Sequence, residues 1–502
     1  MAIQILNFCL LPLYVRYLTT SDYGVLALLA AIEAPAKLFF RWGIDGAFMR
    51  FWYDCDDERS RQRLASTLFF FLLAANGVLL ALAVGAAPFL SARLLDAPGY
   101  TLALQLVLLN TFAIGFTFIP FHVLRMQNRP REFSALTLAR SVSTLVLRFV
   151  FIVGFGFGVM GIVITDLLVT AVLMVVMLRW FAPLIRRVFS ADVLRRALAF
   201  GLPRVPHGFA LQVMAVGDRF VLQKFRSVGE VGVYSMGVSF GLIPKIALGA
   251  FESAWAPFYY ATSREPDAKR VFSTVTTYGI AALAVMTAGL SAVAVDLLDV
   301  MTGREYLAAA GVVAWTAIGV FFYGVYLLTS IGLNITSHTK YYPVSTAIGA
   351  GVNLGLNFML IPAYGMLGAA WANGAAYGVQ AAIAFGCSQR FYPIRYERGR
   401  IARAIGAALL GYVAARSIPA MPSLAGLFVR GATVMVVAGA ALWMTGFFNV
   451  GELRWLNTLR IRRSGARPVT PSADTTEMAG EIVSVDVPDV TVTPPAGRDP
   501  HL

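Results

Sequence analysis

From its start to about residue 448 the chain is a succession of apolar stretches, each about twenty residues long and separated by short polar breaks. A stretch of that length matches the hydrocarbon thickness of a bilayer when wound as a helix. Fourteen such spans are read at 2–18, 24–44, 66–90, 101–121, 134–154, 160–180, 199–221, 232–258, 272–295, 307–333, 342–361, 366–387, 402–418 and 426–448. Composition agrees: 58% of the residues are hydrophobic and only 14% charged, against roughly 25% charged in a soluble domain. The expected class is therefore an all-α integral membrane protein with about 14 transmembrane helices.

The formal net charge of +14 would suggest nucleic acid in a soluble chain. Here its distribution explains it. One set of alternate loops holds most of the basic residues, including Arg59, Arg61 and Arg63, then Arg125, Arg129 and Arg131, then Arg195 and Arg196. The other set holds few, among them Arg93 and Arg304. Basic loops mark the cytoplasmic side. That places both termini in the cytoplasm, consistent with an even number of spans, and no nucleic-acid partner is expected. No cleavable signal peptide is read. Because the first apolar run begins almost at Met1, residues before it are expected to be missing from this start.

Part of the sequence comes back. At a shift of 208 residues Asp22 falls on Glu230, Gly24-Val25 on Gly232-Val233 and Lys37 on Lys245, while Pro35 and Pro244 lie within one position of each other. At a shift of 207, Gly158-Val159-Met160-Gly161 falls on Gly365-Met366-Leu367-Gly368. Two echoes at nearly one spacing point to two parallel six-helix repeats, and in transporters the substrate site lies between such repeats. The expected organisation is a six-helix lobe at 1–182, a cytoplasmic amphipathic linker at 183–198, and a second six-helix lobe at 199–390. Two additional transmembrane helices at 391–450 and a polar, disordered cytoplasmic tail at 451–502 complete it.

Soluble chemistry has no place in this pattern. The loops on the outer side are short, no glycine-rich nucleotide loop is present, and Cys9, Cys55 and Cys387 stand far apart. His122, His207, His338 and His501 show no metal-ligand spacing. No catalytic residue, metal or cofactor is expected, and the chain does not read as an enzyme.

The informative residues are charges inside the spans, each costly unless paired or hydrated. Glu33, Lys37 and Arg41 follow one helical face. Arg140 and Arg148 lie on the fifth span, Asp166 on the sixth, Arg204, His207 and Asp218 on the seventh, and Lys245 and Glu252 on the eighth. One reading is a cationic cavity for an anionic headgroup such as a pyrophosphate, formed by Lys37, Arg41, Arg204, His207 and Lys245. The echo would then set Lys37 and Lys245 facing each other across the centre. Glu33, Arg140, Arg148, Asp166, Asp218 and Glu252 would support it or pair with its cations. The other reading is structural: Glu33 and Lys37 pair along their helix, Arg41 snorkels to the interface, and Arg140 and Arg148 tie helices together. Pro35 and Pro244, inside spans, are candidate hinges.

Leu11-Pro12-Leu13 through Arg16-Tyr17-Leu18, Asp22-Tyr23-Gly24, and Gly43-Ile44-Asp45-Gly46-Ala47-Phe48-Met49-Arg50 together resemble the opening of the polysaccharide flippases. These form the polysaccharide-transport branch of the multidrug/oligosaccharidyl-lipid/polysaccharide exporter superfamily. Asp218-Arg219-Phe220 followed by Gly232-Val233-Tyr234-Ser235 resembles the start of that family's second half, and Asn353 to Asn357, Ile361-Pro362 and Gly365 to Ala370 its eleventh and twelfth spans. The resemblance implies two lobes forming a V, with a cavity lined by spans one, two, seven and eight. It implies alternating-access export of undecaprenyl-pyrophosphate-linked oligosaccharide across the inner membrane for cell-surface polysaccharide. Expected partners are the lipid-linked oligosaccharide, membrane lipids, and a polysaccharide polymerase with its chain-length regulator. A lipid II flippase or a cation-coupled drug exporter of the same fold, or a membrane polysaccharide polymerase or ligase, stay open as alternatives.

Overall fold

A computed structural model describes residues 15–95 and 98–448. One unit runs to Phe447; the second begins at Phe448. The body of the first expected span and the tail at 451–502 lie outside the described residues. No strand occurs among the described residues.

Helix α1 (Thr20–Phe39) starts where a capping box closes. The Asp22 amide donates to the Thr19 hydroxyl at 3.1 Å, and the Thr19 amide donates to the Asp22 carboxylate at 3.0 Å. Trp42 and Gly43 then take left-handed conformations, and the chain re-enters a helix as α2 (Ile44–Tyr53). Long helices follow as α3 (Glu58–Leu90), α4 (Thr101–Met126), α5 (Pro130–Phe149) and α6 (Gly158–Phe181). The short α7 (Ala191–Gly201) leads to α8 (Val205–Phe225). Next come α9 (Val228–Gly241) and α10 (Ile243–Thr262), two pieces of one span bent by 44°. The remainder is α11 (Ala268–Met301), α12 (Ala310–Thr329), the short α13 (Ile331–Ile335), α14 (Tyr341–Phe391), α15 (Arg398–Arg416) and α16 (Ser423–Met444).

Each expected span from the second to the fourteenth falls on a helix. Among the described residues nine helices are long and apolar enough to cross a membrane, or ten with the bent α9–α10 pair. This is a multi-pass membrane protein. Apart from the first span, whose body lies outside the described residues, two reasons separate that count from the expected one. Helix α14 has 51 residues. Straight, it would be about 75 Å long, far beyond a bilayer of ~30 Å. It kinks at Gly365, whose φ of 56° departs from the helix, so its two arms answer to two expected spans. Helices α8 and α15 reach span length, but Asp218 and Arg219 in one and Arg398, Arg400 and Arg403 in the other dilute their apolar character.

The echoes recur as local structure. Ser227 caps α9 by accepting from the Glu230 amide at 3.2 Å, as Thr19 caps α1. The carboxylates then diverge: Asp22 accepts from the Tyr100 hydroxyl at 2.9 Å, Glu230 from the Met366 amide at 3.0 Å. Burial and the Asp22 carboxylate hold the Tyr100 hydroxyl above its ordinary range. Gly158 opens α6 with a φ of 52°, matching Gly365 at 56°.

The two echoed segments also meet. Helix α1 packs along α9, and a Cβ at Gly24 would overlap the Val228 carbonyl oxygen while one at Gly232 would overlap the Thr20 carbonyl oxygen. Around this crossing one core cluster joins Val25, Leu28 and Leu29 to Val221, Leu222, Val231 and Tyr234. Elsewhere α12 and α8 pack on α14, and α11 carries α15 and α16. The Arg430–Asp296 pair, 2.7 Å apart with Asp296 buried, ties α16 to α11. Helix α7 turns its apolar side to protein: Val193, Leu194, Leu198 and Phe200 join a cluster with Ile44, Phe48 and Trp52. Ser190 does not cap α7 through its side chain; its amide instead donates to the Thr67 hydroxyl at 3.1 Å.

Candidate functional site

Two polar cavities open along one face of α1. The first, of about 480 Å³, is lined by Ala30, Glu33, Ala34, Lys37, Leu38, Arg41, Gly43, Asp45 and Gln212. The spacing of Glu33, Lys37 and Arg41 on a helix turns all three to the same side. Lys37 Nζ lies 2.8 Å from Glu33 Oε1, and Arg41 Nη1 3.9 Å from Asp45 Oδ2. Each cation therefore has a carboxylate beside it, so this lining is charge-balanced rather than simply cationic. Both pairs are partly exposed, and such pairs exchange readily for another anion. The cavity ends where α1 breaks: a Cβ at Gly43 would overlap the Gly201 carbonyl oxygen, so only glycine lets α7 approach this turn. Trp42 Nε1 donates to Asn76 Oδ1 at 2.9 Å, and Asn76 donates to the Phe40 carbonyl at 2.7 Å, which fixes the break.

The second cavity, of about 370 Å³, shares Ala30 and Glu33 with the first. Tyr23 and Ala27 line it from α1, Asn110 from α4, Arg148 from α5 and Asp166 from α6. Arg219 on α8 and Ser235 and Ser239 on α9 complete its polar lining, so six helices from both halves contribute. Arg148 Nη2 donates to both Asp166 oxygens at 2.7 and 2.8 Å. Arg219 Nη1 donates to Asp218 Oδ1 at 3.0 Å and to the Ala215 carbonyl at 2.9 Å. Asp218, which is 1% exposed, also accepts from the Tyr234 hydroxyl.

Several expected site residues stand elsewhere. Lys245 lines neither cavity; its ammonium lies 5.3 Å from the centre of the Tyr323 ring, on a tyrosine ladder with Tyr326 and Tyr377. Glu252 lies on the same helix as Lys245 but forms no ion pair with it. Arg204 stacks on Phe200 at 4.1 Å, and the half-buried His207 has no partner for Nδ1. Arg140 forms no ion pair among the described residues. Pro35 sits inside the unbroken α1, whereas Pro244 occupies the first turn of α10, just past the bend. No cluster of metal-ligating side chains occurs among the described residues.

The cavity residues that sequence reasoning passed over are uncharged, Asn110, Gln212 and Ser239, while Ser235 was noted only as part of a motif. A lone amide in an apolar span, as at Asn110, is a signal that a search for charges alone does not pick up. Arg219 was visible as part of the Asp218-Arg219-Phe220 motif rather than as part of a cavity.

Residues 13–311 match the family model described as "Polysaccharide biosynthesis protein", more than half of the chain. No curated relative matches. Among solved structures, one titled "Lipid II flippase MurJ, inward closed conformation" aligns with a TM-score of 0.72 at 14% identity, covering 88% of this chain and 97% of that one. An inward-facing multidrug resistance MATE family transporter of the MOP superfamily aligns with a TM-score of 0.60 at 15% identity, covering 80% and 95%. At such identities the likeness is one of fold, and the fold is that of these multi-helix transporters. The chain belongs to the polysaccharide biosynthesis protein family, and its helices adopt the fold of the multidrug/oligosaccharidyl-lipid/polysaccharide exporter superfamily.

Proposed function

We propose that the chain is a flippase. Its cargo is an undecaprenyl-pyrophosphate-linked oligosaccharide, carried across the inner membrane for cell-surface polysaccharide synthesis. What supports the reading most is the pair of polar cavities between the echoed halves, in a member of a polysaccharide biosynthesis family. With both termini cytoplasmic, α1 descends from an outer end at Thr20 to an inner end at Phe39. The Gly24–Gly232 contact then seals the outer side, and the cavity at Lys37 and Arg41 lies toward the cytoplasm.

In this mechanism the pyrophosphate enters from the cytoplasmic side. Its oxygens replace Glu33 and Asp45 on Lys37 and Arg41, because charge-assisted bonds to phosphate match or exceed those to a half-exposed carboxylate. Rocking of the halves, with Pro35 inside α1 as the hinge, opens the outer seal. The saccharide leaves outward while the polyprenyl chain stays in the bilayer. Transport requires that the two states bind the headgroup differently. Lys245, held on Tyr323, takes over the diphosphate on the second half as the lobes move. A polymerase with its chain-length regulator receives the product.

Purified protein in liposomes loaded with the lipid-linked oligosaccharide tests the reading. Protein-dependent exposure of the saccharide to an added impermeant glycosidase is the expected result. Exposure at the rate of protein-free liposomes would contradict it. The Lys37→Ala/Lys245→Ala double variant is expected to abolish exposure while leaving expression intact.

A further inference from the structure

The second cavity holds more polar groups than a diphosphate needs. We propose that it is a separate subsite for an uncharged sugar, the reducing-end residue of the lipid-linked saccharide. This inference rests on the flippase reading and names what its deeper cavity recognises.

Three observations carry it. First, the lining charges cancel. Glu33 and Asp166 stand against Arg148 and Arg219, and Asp166 and Arg219 are each already paired, so the cavity offers no net attraction to an anion. The planar guanidinium of Arg219, bonded through Nη1 to Asp218 and the Ala215 carbonyl, and the lining carboxylates offer the planar donors and acceptors that grip vicinal hydroxyls.

Second, the lining contains unanswered polar atoms. Asn110 Oδ1 and Ser235 Oγ are buried without any hydrogen-bond partner, and both residues are only 5% exposed. A buried polar group left unpaired is costly, so each of these atoms calls for a partner that the chain itself does not supply. Asn110 comes from the first half and Ser235 from the second, so a bound sugar would bridge the halves.

Third, the geometry links this subsite to the diphosphate. Ala30 and Glu33 line both cavities. From Ala30 to Lys37 the helical rise is about 10 Å. That suits a sugar joined directly to a diphosphate. A volume of about 370 Å³ is at the small end for ligand sites and fits one or two sugar rings.

The test uses the full chain in lipid nanodiscs and saturation-transfer NMR with a panel of methyl glycosides, some neutral and some uronic. Binding of inorganic pyrophosphate is read in parallel from phosphorus line widths. Neutral glycosides are expected to receive saturation and uronic ones not. Asn110→Leu and Ser235→Ala are each expected to weaken that response about fivefold to tenfold, the worth of one hydrogen bond. Pyrophosphate broadening should stay at the wild-type level in both. Ser235→Ala removes a single oxygen, so its reading does not depend on how well Asn110→Leu folds. The proposal is overturned if no neutral glycoside responds in the wild type, if both variants respond like the wild type, or if uronic glycosides respond as strongly as neutral ones. Failure of pyrophosphate to bind, with the glycoside response intact and sensitive to Asn110, would count against the flippase reading and leave the sugar subsite standing.

Discussion

Helix α1 and its echo begin alike and end differently. Both start with a hydroxyl cap and a carboxylate three residues on, and both carry a glycine where they cross. Then α1 runs unbroken through Pro35 and breaks only at Trp42 and Gly43, beyond its charges. The echo breaks earlier, at Leu242, and bends by 44° before Lys245. A proline displaced by one register position sits mid-helix in one half and in the first turn of a new helix in the other, where its missing amide costs nothing. The consequence is a structural asymmetry. The first half presents Glu33, Lys37 and Arg41 to open cavities, while the second turns its lysine onto an aromatic ladder. The echoed segments thus share their crossing contact but differ in where they place their charges.

The largest effect is expected where the two segments touch. Gly24→Val or Gly232→Val places a side chain against a backbone carbonyl that has no room to yield. Either variant is expected to lose surface polysaccharide entirely and to expose a cysteine introduced at Thr20 to an impermeant maleimide. A variant that keeps both polymer output and a shielded position 20 would break the account of the seal.

The two lysines come next. Removing Lys37 takes away a cavity cation; removing Lys245 takes away one that rests on Tyr323. Lys37→Ala alone is therefore expected to cut export at least tenfold and Lys245→Ala only severalfold, read as surface polymer at equal expression. Neither should shift the melting temperature much, because a half-exposed pair such as Lys37–Glu33 is worth about 0–1 kcal/mol. Equal losses would mean the halves bind alike.

The prolines come third. Pro35→Ala restores an amide donor in the middle of α1 and stiffens it, so transport is expected to slow severalfold in the liposome assay. Pro244→Ala, at a helix start, is expected to change it by less than twofold. The smallest effect falls on the caps. Ser227→Ala removes one hydrogen bond and Thr19→Ala two, and loss of such a cap costs about 1 kcal/mol. Faster hydrogen exchange in the first turns of α1 and α9 is the expected readout, greater at Thr19, where the box is reciprocal.

Much of this was legible from residue order alone. Span length followed from apolar runs, the echo from identities at one shift, and the Lys37–Glu33 contact from spacing along one helix. Asp22 and Glu230 were legible as equivalents, and their caps bear this out. What stayed hidden depends on neighbours. Spacing says which residues share a helical face, not which helix lies against it. So Arg148 and Asp166 were both singled out, but not as one pair across α5 and α6. The carboxylate Asp45, brought back to Arg41 by the left-handed turn at Gly43, was counted as part of a motif rather than as a counter-ion. Asn110 was invisible because one uncharged polar residue in an apolar helix carries no periodicity, and Ser235 was read only as part of a motif. Their burial without partners appears only when six helices close around them.

The central claim is that this chain moves a lipid-linked saccharide from one membrane face to the other. The most direct measurement is made in a deletion strain: extract the lipid-linked oligosaccharides and determine on which face of the inner membrane they lie. Accumulation on the cytoplasmic face, relieved by restoring the gene, is the result expected of a flippase, and the extracted material identifies the sugar. Normal appearance on the outer face, with surface polymer still missing, would contradict the account and assign the chain to a step after translocation.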